Sequence, residues 1–258
     1  MALNLAFGDE GDGEPLLILH GLFGARGNWA SHVKALTPHF RVITADLRNH
    51  GASPWADSMS YDDMADDLRA LLDRLGLDTA SVIGHSMGGK VAMALALAEN
   101  ERVSRLVVVD IAPVSYPPRL LSYAEAMAAI DPDQLKGRAE ADKLLQKVVD
   151  DPSVRAFLLQ NLRREEGRLR WRLNLEILIR EMEAISGFPE KLRQEAYGGP
   201  TLFVAGGRSD HLTADHQQEI QRLFPNATAR LLPSAGHWVH SEQPEAFMRA
   251  LFAFLLER

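Results

Sequence analysis

The sequence predicts an α/β fold with a doubly wound, mostly parallel β-sheet. The chain has 258 residues, enough for one sizeable core with an insertion. Short runs rich in Val, Ile and Leu alternate with longer stretches of helical period, which is typical of such sheets. Most of the short runs are apolar throughout, as expected of strands that helices cover on both faces.

Six segments are predicted as strands, in the order PLLILHG (15–21), RVITAD (41–46), ASVIGH (80–85), RLVVVDIAP (105–113), TLFVAGG (201–207) and ARLLPSAGH (229–237). The segments between them have helical period, namely WASHVKAL, MADDLRALLDRL, MGGKVAMALALAE and HQQEIQRLF, and PEAFMRALFAFLLER follows the last strand. This order of elements gives a parallel sheet with helices on both of its faces.

The alternation stops between residues 113 and 197. The segments YAEAMAAI, EADKLLQKVV, SVRAFLLQNL and WRLNLEILIREMEAI all have helical period, and RREEGRLRWR is predicted as a solvated helix face. We therefore expect a core of residues 1–112 and 198–258 with a helical lid at 113–197, placed over the carboxyl ends of the strands where ligands bind. A separate helical domain is the alternative, but no Gly/Ser linker sets the segment apart.

The composition narrows the classes of function. The net charge of -7 disfavours a nucleic-acid partner, and the lack of cysteine excludes disulfides, thiolate metal sites and cysteine nucleophiles. The start MALNLAFGDEGDG lacks a charged segment followed by a long apolar one, and no stretch is long enough to span a membrane. A cytoplasmic protein is therefore expected, and no sequence feature specifies its oligomeric state.

The segment VIGHSMGGK contains the pattern G-x-S-x-G, centred on Ser86, between a predicted strand and a predicted helix. In that context the serine lies on a sharp turn and its hydroxyl points into a pocket as a nucleophile. Gly84 and Gly88 leave room for the turn, and Gly89 lets the helix pack closely. The alternative is a tight turn with a structural role only.

A serine hydroxyl needs a base, and His237 is the leading candidate because it follows the last predicted strand at the carboxyl edge of the sheet. His240 is its main competitor in the same segment. The order expected for this architecture is nucleophile, acid and then histidine. His85 and His20 precede any candidate acid, so they are expected to shape the pocket or bond to loops.

Two aspartates could orient the base. Asp110 ends the strand RLVVVD, and Asp210 follows a later strand in AGGRSDHL. Both lie at carboxyl ends of strands, so either could reach the histidine and fix its tautomer. The structural alternatives are that Asp110 caps the following turn and that the Asp210 side chain hydrogen-bonds to its own loop backbone.

Two backbone N–H groups are predicted to bind the oxyanion. Met87 begins a helix, and Leu22 lies in the turn HGLFG after the first long strand. Phe23, His85 and Trp238 are predicted to line the substrate pocket. The stretch DLRNHGAS, with a glycine at 51, is predicted as a structural turn beneath it. Some apolar residues of the insertion could reach the pocket or pack in the core, namely Tyr116, Leu121, Phe157, Trp171 and Leu175.

The motifs HGLFG, RNHGAS, GHSMGGK, VVVDIAPV and AGHWVHSEQP together resemble the α/β-hydrolase superfamily, in particular the small YbfF-type esterases and their mitochondrial abhydrolase relatives. The resemblance covers nearly the whole chain. It implies Ser86 as nucleophile, His237 as base, and Met87 and Leu22 as oxyanion donors. It also favours Asp110 as acid, because these relatives carry the VDIAP aspartate, although this chain has Asp210 where most other α/β-hydrolases place theirs.

The resemblance and the residues predict a serine hydrolase of esters or thioesters with a hydrophobic acyl or alcohol part, with no metal or organic cofactor. Serine at the turn excludes the aspartate nucleophile of dehalogenase and epoxide-hydrolase relatives. Perhydrolase, lactonase and C–C bond hydrolase or lyase reactions use the same triad and remain alternatives. A ligand receptor with little turnover is an alternative from another class.

Overall fold

A twisted, mostly parallel sheet lies between two layers of helices in the computed structural model, which describes residues 1–256. The strands, in chain order, are β1 (Phe7–Glu10), β2 (Glu14–Leu19), β3 (Phe40–Ala45), β4 (Ala80–His85), β5 (Val103–Val109), β6 (Leu162–Glu165), β7 (Arg168–Trp171), β8 (Thr201–Gly206) and β9 (Ala227–Leu232). The sheet has the strand order β1-β3-β2-β4-β5-β8-β9. Only β1 runs antiparallel to its neighbour β3, and the other pairs are parallel.

The α-helices, in chain order, are α1 (Ala30–Leu36), α2 (Tyr61–Arg74), α3 (Met87–Ala98), α4 (Leu121–Ala128), α5 (Arg138–Leu145), α6 (Pro152–Leu159), α7 (Leu175–Arg180), α8 (Met182–Ser186), α9 (Gln217–Leu223), α10 (Val239–Glu242) and α11 (Pro244–Leu255). None of the helices within residues 1–256 is long and apolar enough to cross a membrane.

Two apolar cores lie on opposite faces of the sheet. Leu16 and Ile18 of β2 point into a core with α1 and α11, whereas Leu17 and Leu19 point into a larger core with α2, α3 and residues 113–197. Strands buried on both faces need apolar side chains at consecutive positions, which explains their unbroken hydrophobic runs.

The predicted doubly wound α/β fold is confirmed, and the largest differences within the main sheet are at three strands. The short strand β1 was not predicted, and half of its positions are exposed. Strand β5 ends at Val109, earlier than expected, so Asp110 lies just beyond it. Strand β9 ends at Leu232, before Pro233, so His237 lies in a longer loop than predicted.

Residues 113–197 lie between β5 and β8, and the prediction that they are helical throughout was wrong. The stretch expected to be a solvated helix face forms the antiparallel hairpin β6–β7. Its turn contains Glu166 and Gly167, both with positive φ, at 49° and 83°. The last predicted helix is present as α11, but its final residues, 257 and 258, lie outside the described residues.

Candidate active site

Ser86 lies on a sharp turn between β4 and α3, with φ 53° and ψ -120°. A side chain at Gly84 would collide with the Gly88 carbonyl, so the turn requires a glycine there. The Ser86 N–H donates to the carbonyl of Val109 at 3.0 Å, which holds the turn against β5. This is the strained conformation that exposes a nucleophilic hydroxyl at the carboxyl edge of a sheet.

The structure brings His237 within reach of Ser86, from the loop between β9 and α10. The distance from His237 Nε2 to Ser86 Oγ is 3.1 Å, and that from His237 Nδ1 to Asp110 Oδ2 is 2.8 Å. The Asp110 carboxylate accepts a hydrogen bond from Nδ1–H, so the neutral ring has its lone pair on Nε2, which can accept the proton of the serine. The main chain of His237 is held too, because His85 Nε2 donates to its carbonyl at 2.9 Å.

Asp110 follows β5 with φ 51° and is fully buried. The Gly206 N–H donates to its Oδ1 at 2.9 Å, and the Ser209 hydroxyl donates to its Oδ2. Together with the His237 ring, these donors fix both carboxylate oxygens in a dry environment.

The other candidate acid, Asp210, has an exposed side chain and forms an ion pair with Arg119 at 2.5 Å. The hydrogen bond from Arg119 lowers the pKa of this carboxyl. The structure therefore places Asp110, and not Asp210, against the Nδ1 atom of His237.

The protonation states suit a proton transfer from Ser86 at neutral pH. Burial, reinforced by the nearby His211, lowers the pKa of His237 to about 3, so its ring is neutral. Burial raises the pKa of Asp110 to about 6, although hydrogen bonds from Ser209 and Gly206 lower it, so the carboxyl is ionised above that pH.

Three other histidines lie around the site. His240 stacks on Trp29 with ring centroids 4.4 Å apart and lines a cavity with Ser86, but it is not part of the hydrogen-bonded chain of Ser86, His237 and Asp110. His20 donates from Nδ1 to the Gly21 carbonyl and accepts at Nε2 from the Leu47 N–H, as expected of a loop-bonding residue. His211, which the sequence did not single out, stacks on His237 with ring centroids 3.9 Å apart.

The loop with Leu22 packs directly against the nucleophile. A Cβ atom at Gly21 would lie 3.2 Å from the Cβ of Ser86. Leu22, Ser86 and Met87 line the same cavity. Phe23 has φ 61°, so three of the five non-glycine residues with positive φ in the described part of the chain, namely Phe23, Ser86 and Asp110, bound the site. Such backbone conformations concentrate at functional sites.

Two cavities meet at Ser86. The larger, about 380 Å³, is lined mainly by apolar and aromatic side chains, including Phe23, Trp29, Phe157, Leu158 and Trp238, and also by His85 and His237. The smaller, about 300 Å³, is also lined by apolar side chains such as Ile111, Met182 and Ile185, but it has more polar groups, including those of Tyr61, Lys90, Tyr116, Arg119, Asp210 and His211. Residues 113–197 supply part of both walls.

The three residues predicted to line the pocket, Phe23, His85 and Trp238, all face the larger cavity. Of the five candidates in the insertion, Phe157 faces the larger cavity and Tyr116 the smaller. The remaining three, Leu121, Trp171 and Leu175, pack against the core on the α2 and α3 face of the sheet.

Lys90 was missed by the sequence analysis. It lies one helical turn after Ser86 on α3, the spacing that puts two residues on one helix face. Its Nζ donates to the carbonyls of Ser186 and Gly187 at 2.8 and 2.6 Å. Burial lowers the pKa of Lys90 to about 7.

One set of side chains among the described residues could offer closely spaced metal ligands. Asp110, His211 and His237 present ligand atoms within 4.8 Å of one another. Two of the three residues, Asp110 and His237, already bond to each other in the chain that leads to Ser86.

Three comparisons place the chain among known proteins. The model of the alpha/beta hydrolase fold matches residues 14–244. The chain is 46% identical over 248 residues to the sn-1-specific diacylglycerol lipase ABHD11 of Mus musculus, covering 93% of this chain and 80% of that protein. It is 36% identical over 250 residues to Esterase YbfF of Escherichia coli strain K12, covering 96% and 95%. The solved structure of a marine microorganism esterase superposes with a TM-score of 0.92 at 37% identity, covering 98% of this chain and 100% of the other.

Proposed function

The chain belongs to the α/β-hydrolase family, as its motifs predicted, and we propose that it is a carboxylesterase-type serine hydrolase that forms an acyl-enzyme on Ser86. Its substrates are carboxylic esters or thioesters with a hydrophobic acyl or alcohol part. The esterase and lipase names of the relatives support the reaction class.

The observation that carries the mechanism is the continuous hydrogen-bonded chain of Ser86, His237 and Asp110. His237 Nε2 takes the hydroxyl proton as Ser86 Oγ attacks the substrate carbonyl carbon, and a tetrahedral intermediate forms. The C–O or C–S bond then breaks, and the same Nε2 gives its proton to the leaving group. Water attacks the acyl-enzyme with His237 as base, which releases the acid and restores Ser86.

Asp110 acts on His237 without exchanging a proton with substrate. The buried carboxylate keeps the proton on Nδ1 and stabilises the imidazolium that forms as Ser86 attacks. Its bonds from Gly206 and Ser209 support this role, because they hold the carboxylate in a single orientation.

The Leu22 and Met87 N–H groups bind the oxyanion of each tetrahedral intermediate. Their residues line one cavity with Ser86, and Met87 is the first residue of α3. Each such donor lowers the activation free energy by roughly 3 kcal/mol. The positive end of the α3 dipole adds to the stabilisation.

The two cavities hold different parts of the substrate. His237, which protonates the leaving group, lines only the larger cavity, so the leaving group lies there and the acyl group extends into the smaller one. Volumes of about 380 and 300 Å³ are at the small end for ligand sites, which favours short and medium acyl chains over long ones.

Residues 113–197 form the lid of this site over a core made by residues 1–112 and 198–258. Side chains from α6 and from the segment before α4 face the cavities at the carboxyl edge of the sheet. A lid in this position excludes water from the larger cavity and sets the shape that selects the substrate.

Hydrolysis of p-nitrophenyl esters of graded chain length tests the proposed function, with Ser86→Ala as the matched variant. We expect turnover by the natural chain, highest for short or medium acyl groups, and labelling by a fluorophosphonate that Ser86→Ala abolishes. A chain that neither hydrolyses any ester nor reacts with the fluorophosphonate would not be an esterase.

A further inference from the structure

The hairpin β6–β7 joins residues 113–197 to the loop that carries Leu22. Asn161 immediately precedes β6 and is buried, with 4% of its surface exposed. Its Nδ2 donates to the Phe23 carbonyl at 2.7 Å and to the Leu158 carbonyl at 3.1 Å. The insertion thus bonds directly to the residue that follows the proposed oxyanion donor.

The rest of this loop is held by groups of the core. The Gly21 carbonyl accepts from His20 Nδ1 at 2.8 Å and from the Gly24 N–H at 2.9 Å. Because that carbonyl and the Leu22 N–H belong to one planar peptide unit, fixing the carbonyl also fixes the direction of the N–H.

The next peptide unit is held by a histidine. The Phe23 N–H donates to His50 Nε2 at 3.3 Å, while His50 Nδ1 donates to the Arg48 carbonyl at 2.9 Å. Burial lowers the pKa of His50 to about 3, so the ring stays neutral and Nε2 can accept. His50 also forms an isolated antiparallel bridge with Leu173, just beyond β7.

Phe23 has φ 61°, a left-handed conformation that is unfavourable for a residue with a bulky side chain. Such a residue keeps this conformation only where its surroundings determine it. The surroundings are the His50 bond at its N–H and the Asn161 bond at its carbonyl. Of these two groups, Asn161 alone belongs to the insertion.

We propose that Asn161 is a positioning residue that holds the oxyanion loop in its active conformation, so that catalysis depends on the insertion being seated on the core. The inference rests on the proposed function, because it assumes that Leu22 binds the oxyanion. The hairpin then contributes to transition-state stabilisation in addition to shaping the cavity.

The test compares Asn161→Ala with Asn174→Ala. Asn174 also lies in the insertion and bonds to a core loop, since its Nδ2 donates to Asn49 Oδ1 at 3.1 Å, a bond that does not involve the loop with Leu22. Asn161→Leu is a second variant, because leucine fills a similar volume and lacks the donor. Steady-state hydrolysis of p-nitrophenyl butyrate and inhibition by butylboronic acid, which forms a tetrahedral adduct with serine, are measured for each chain.

We expect Asn161→Ala and Asn161→Leu to lower kcat roughly 10- to 100-fold with little change in KM, less than the loss of a whole oxyanion donor. The inhibition constant of butylboronic acid should rise by a similar factor, because its adduct also needs the oxyanion site. Asn174→Ala should keep the natural kcat and inhibition constant. A merely structural role would lower the melting temperature of the Asn161 variants without this loss of kcat.

Equal kinetics for the Asn161 and Asn174 variants would overturn the inference while leaving the esterase mechanism intact. Failure of both Asn161 variants to fold would overturn it too, because the asparagine would then be needed for the structure itself. An inactive natural chain that does not react at Ser86 would instead overturn the proposed function.

Discussion

At the scale of single residues, the surroundings of Asp110 determine how His237 can act. Its carboxylate is buried 2.8 Å from His237 Nδ1, with further bonds from Gly206 and Ser209. Asp210 bonds to Arg119 at the surface and lies next to His211. One aspartate can therefore orient the base, whereas the other can be removed without breaking the chain of hydrogen bonds to Ser86.

Asp110→Asn should lower kcat by orders of magnitude, up to roughly 10⁴-fold, because an amide N–H₂ facing Nδ1 favours the wrong tautomer of His237. Asp210→Asn is the matched control and should change kcat little. Steady-state hydrolysis of p-nitrophenyl butyrate by both variants gives the comparison. The opposite ranking of the two variants would assign the acid to Asp210.

These residues differ in how far the sequence could predict them. The strand, the flanking glycines and the helix that identify Ser86 are all local. Asp110 and Asp210 both follow strands of the sheet, and the sequence does not show which way each side chain points. What distinguishes the two aspartates is Arg119, which binds Asp210 and lies 91 positions away from it along the chain. The family resemblance favoured Asp110, but the residues alone left the choice open.

At the scale of elements, a buried ion pair fixes α2 to the loop after β3. Arg48 Nε and Asp67 Oδ2 are 2.8 Å apart, and a second bond of 2.9 Å joins Arg48 Nη2 to Asp67 Oδ1. The side chains are 1% and 0% exposed. The pair holds the loop that contains His50, which in turn bonds to the loop with Leu22.

Arg48→Met should lower the free energy of unfolding by roughly 3–5 kcal/mol, because it leaves the Asp67 charge buried without its partner. Arg69→Met is the control, since Arg69 forms an exposed pair with Asp66 on the same helix and should cost less than about 1 kcal/mol. Urea denaturation measures both. Similar losses of unfolding free energy in the two variants would contradict a larger contribution from the buried pair.

The hairpin β6–β7 shows why one element was mispredicted. The sequence Arg168, Leu169, Arg170, Trp171 alternates charged and apolar residues with period two, which indicates a strand. The helical segments on either side and the mixed charges led to a helix prediction instead. A two-stranded hairpin is marginal alone, and this one is stabilised by its contacts with the core loops at Phe23 and His50, which no local pattern shows.

At the scale of the whole molecule, histidines link stability to pH. Eight of them have a pKa lowered chiefly by burial, namely His20, His32, His50, His85, His211, His216, His237 and His240. A group whose pKa is lower in the folded state contributes stability that is present above its unfolded pKa and is lost as the pH falls. Asp110 acts in the opposite sense, because its pKa is raised to about 6 in the folded chain.

The free energy of unfolding should therefore fall as the pH drops from about 7 to about 5, since the unfolded chain takes up protons on histidines that the folded chain excludes. Urea denaturation at intervals across this range measures the effect. Stability that is constant or rises toward acid pH would contradict the account of the buried histidines.

The sequence predicted the sheet well because its strands are buried on both faces and carry unbroken apolar runs, as in β2 and β4. The exposed edge strand β1 has little apolar signal and could not be predicted, whereas the end of β9 before Pro233 has a local signal that was missed, because proline cannot donate a ladder hydrogen bond. The cavities also could not be predicted, because they depend on how residues 113–197 pack across the carboxyl edge of the sheet.

In the proposed mechanism, ester hydrolysis transfers an acyl group to Ser86 before water releases it. Rapid acid quenching of the chain mixed with p-nitrophenyl butyrate, followed by peptide mass spectrometry, tests it most directly. A butyryl group is expected on the peptide that contains Ser86, with no such adduct in Ser86→Ala. Turnover with the acyl group on another residue, or undiminished turnover by Ser86→Ala, would contradict it.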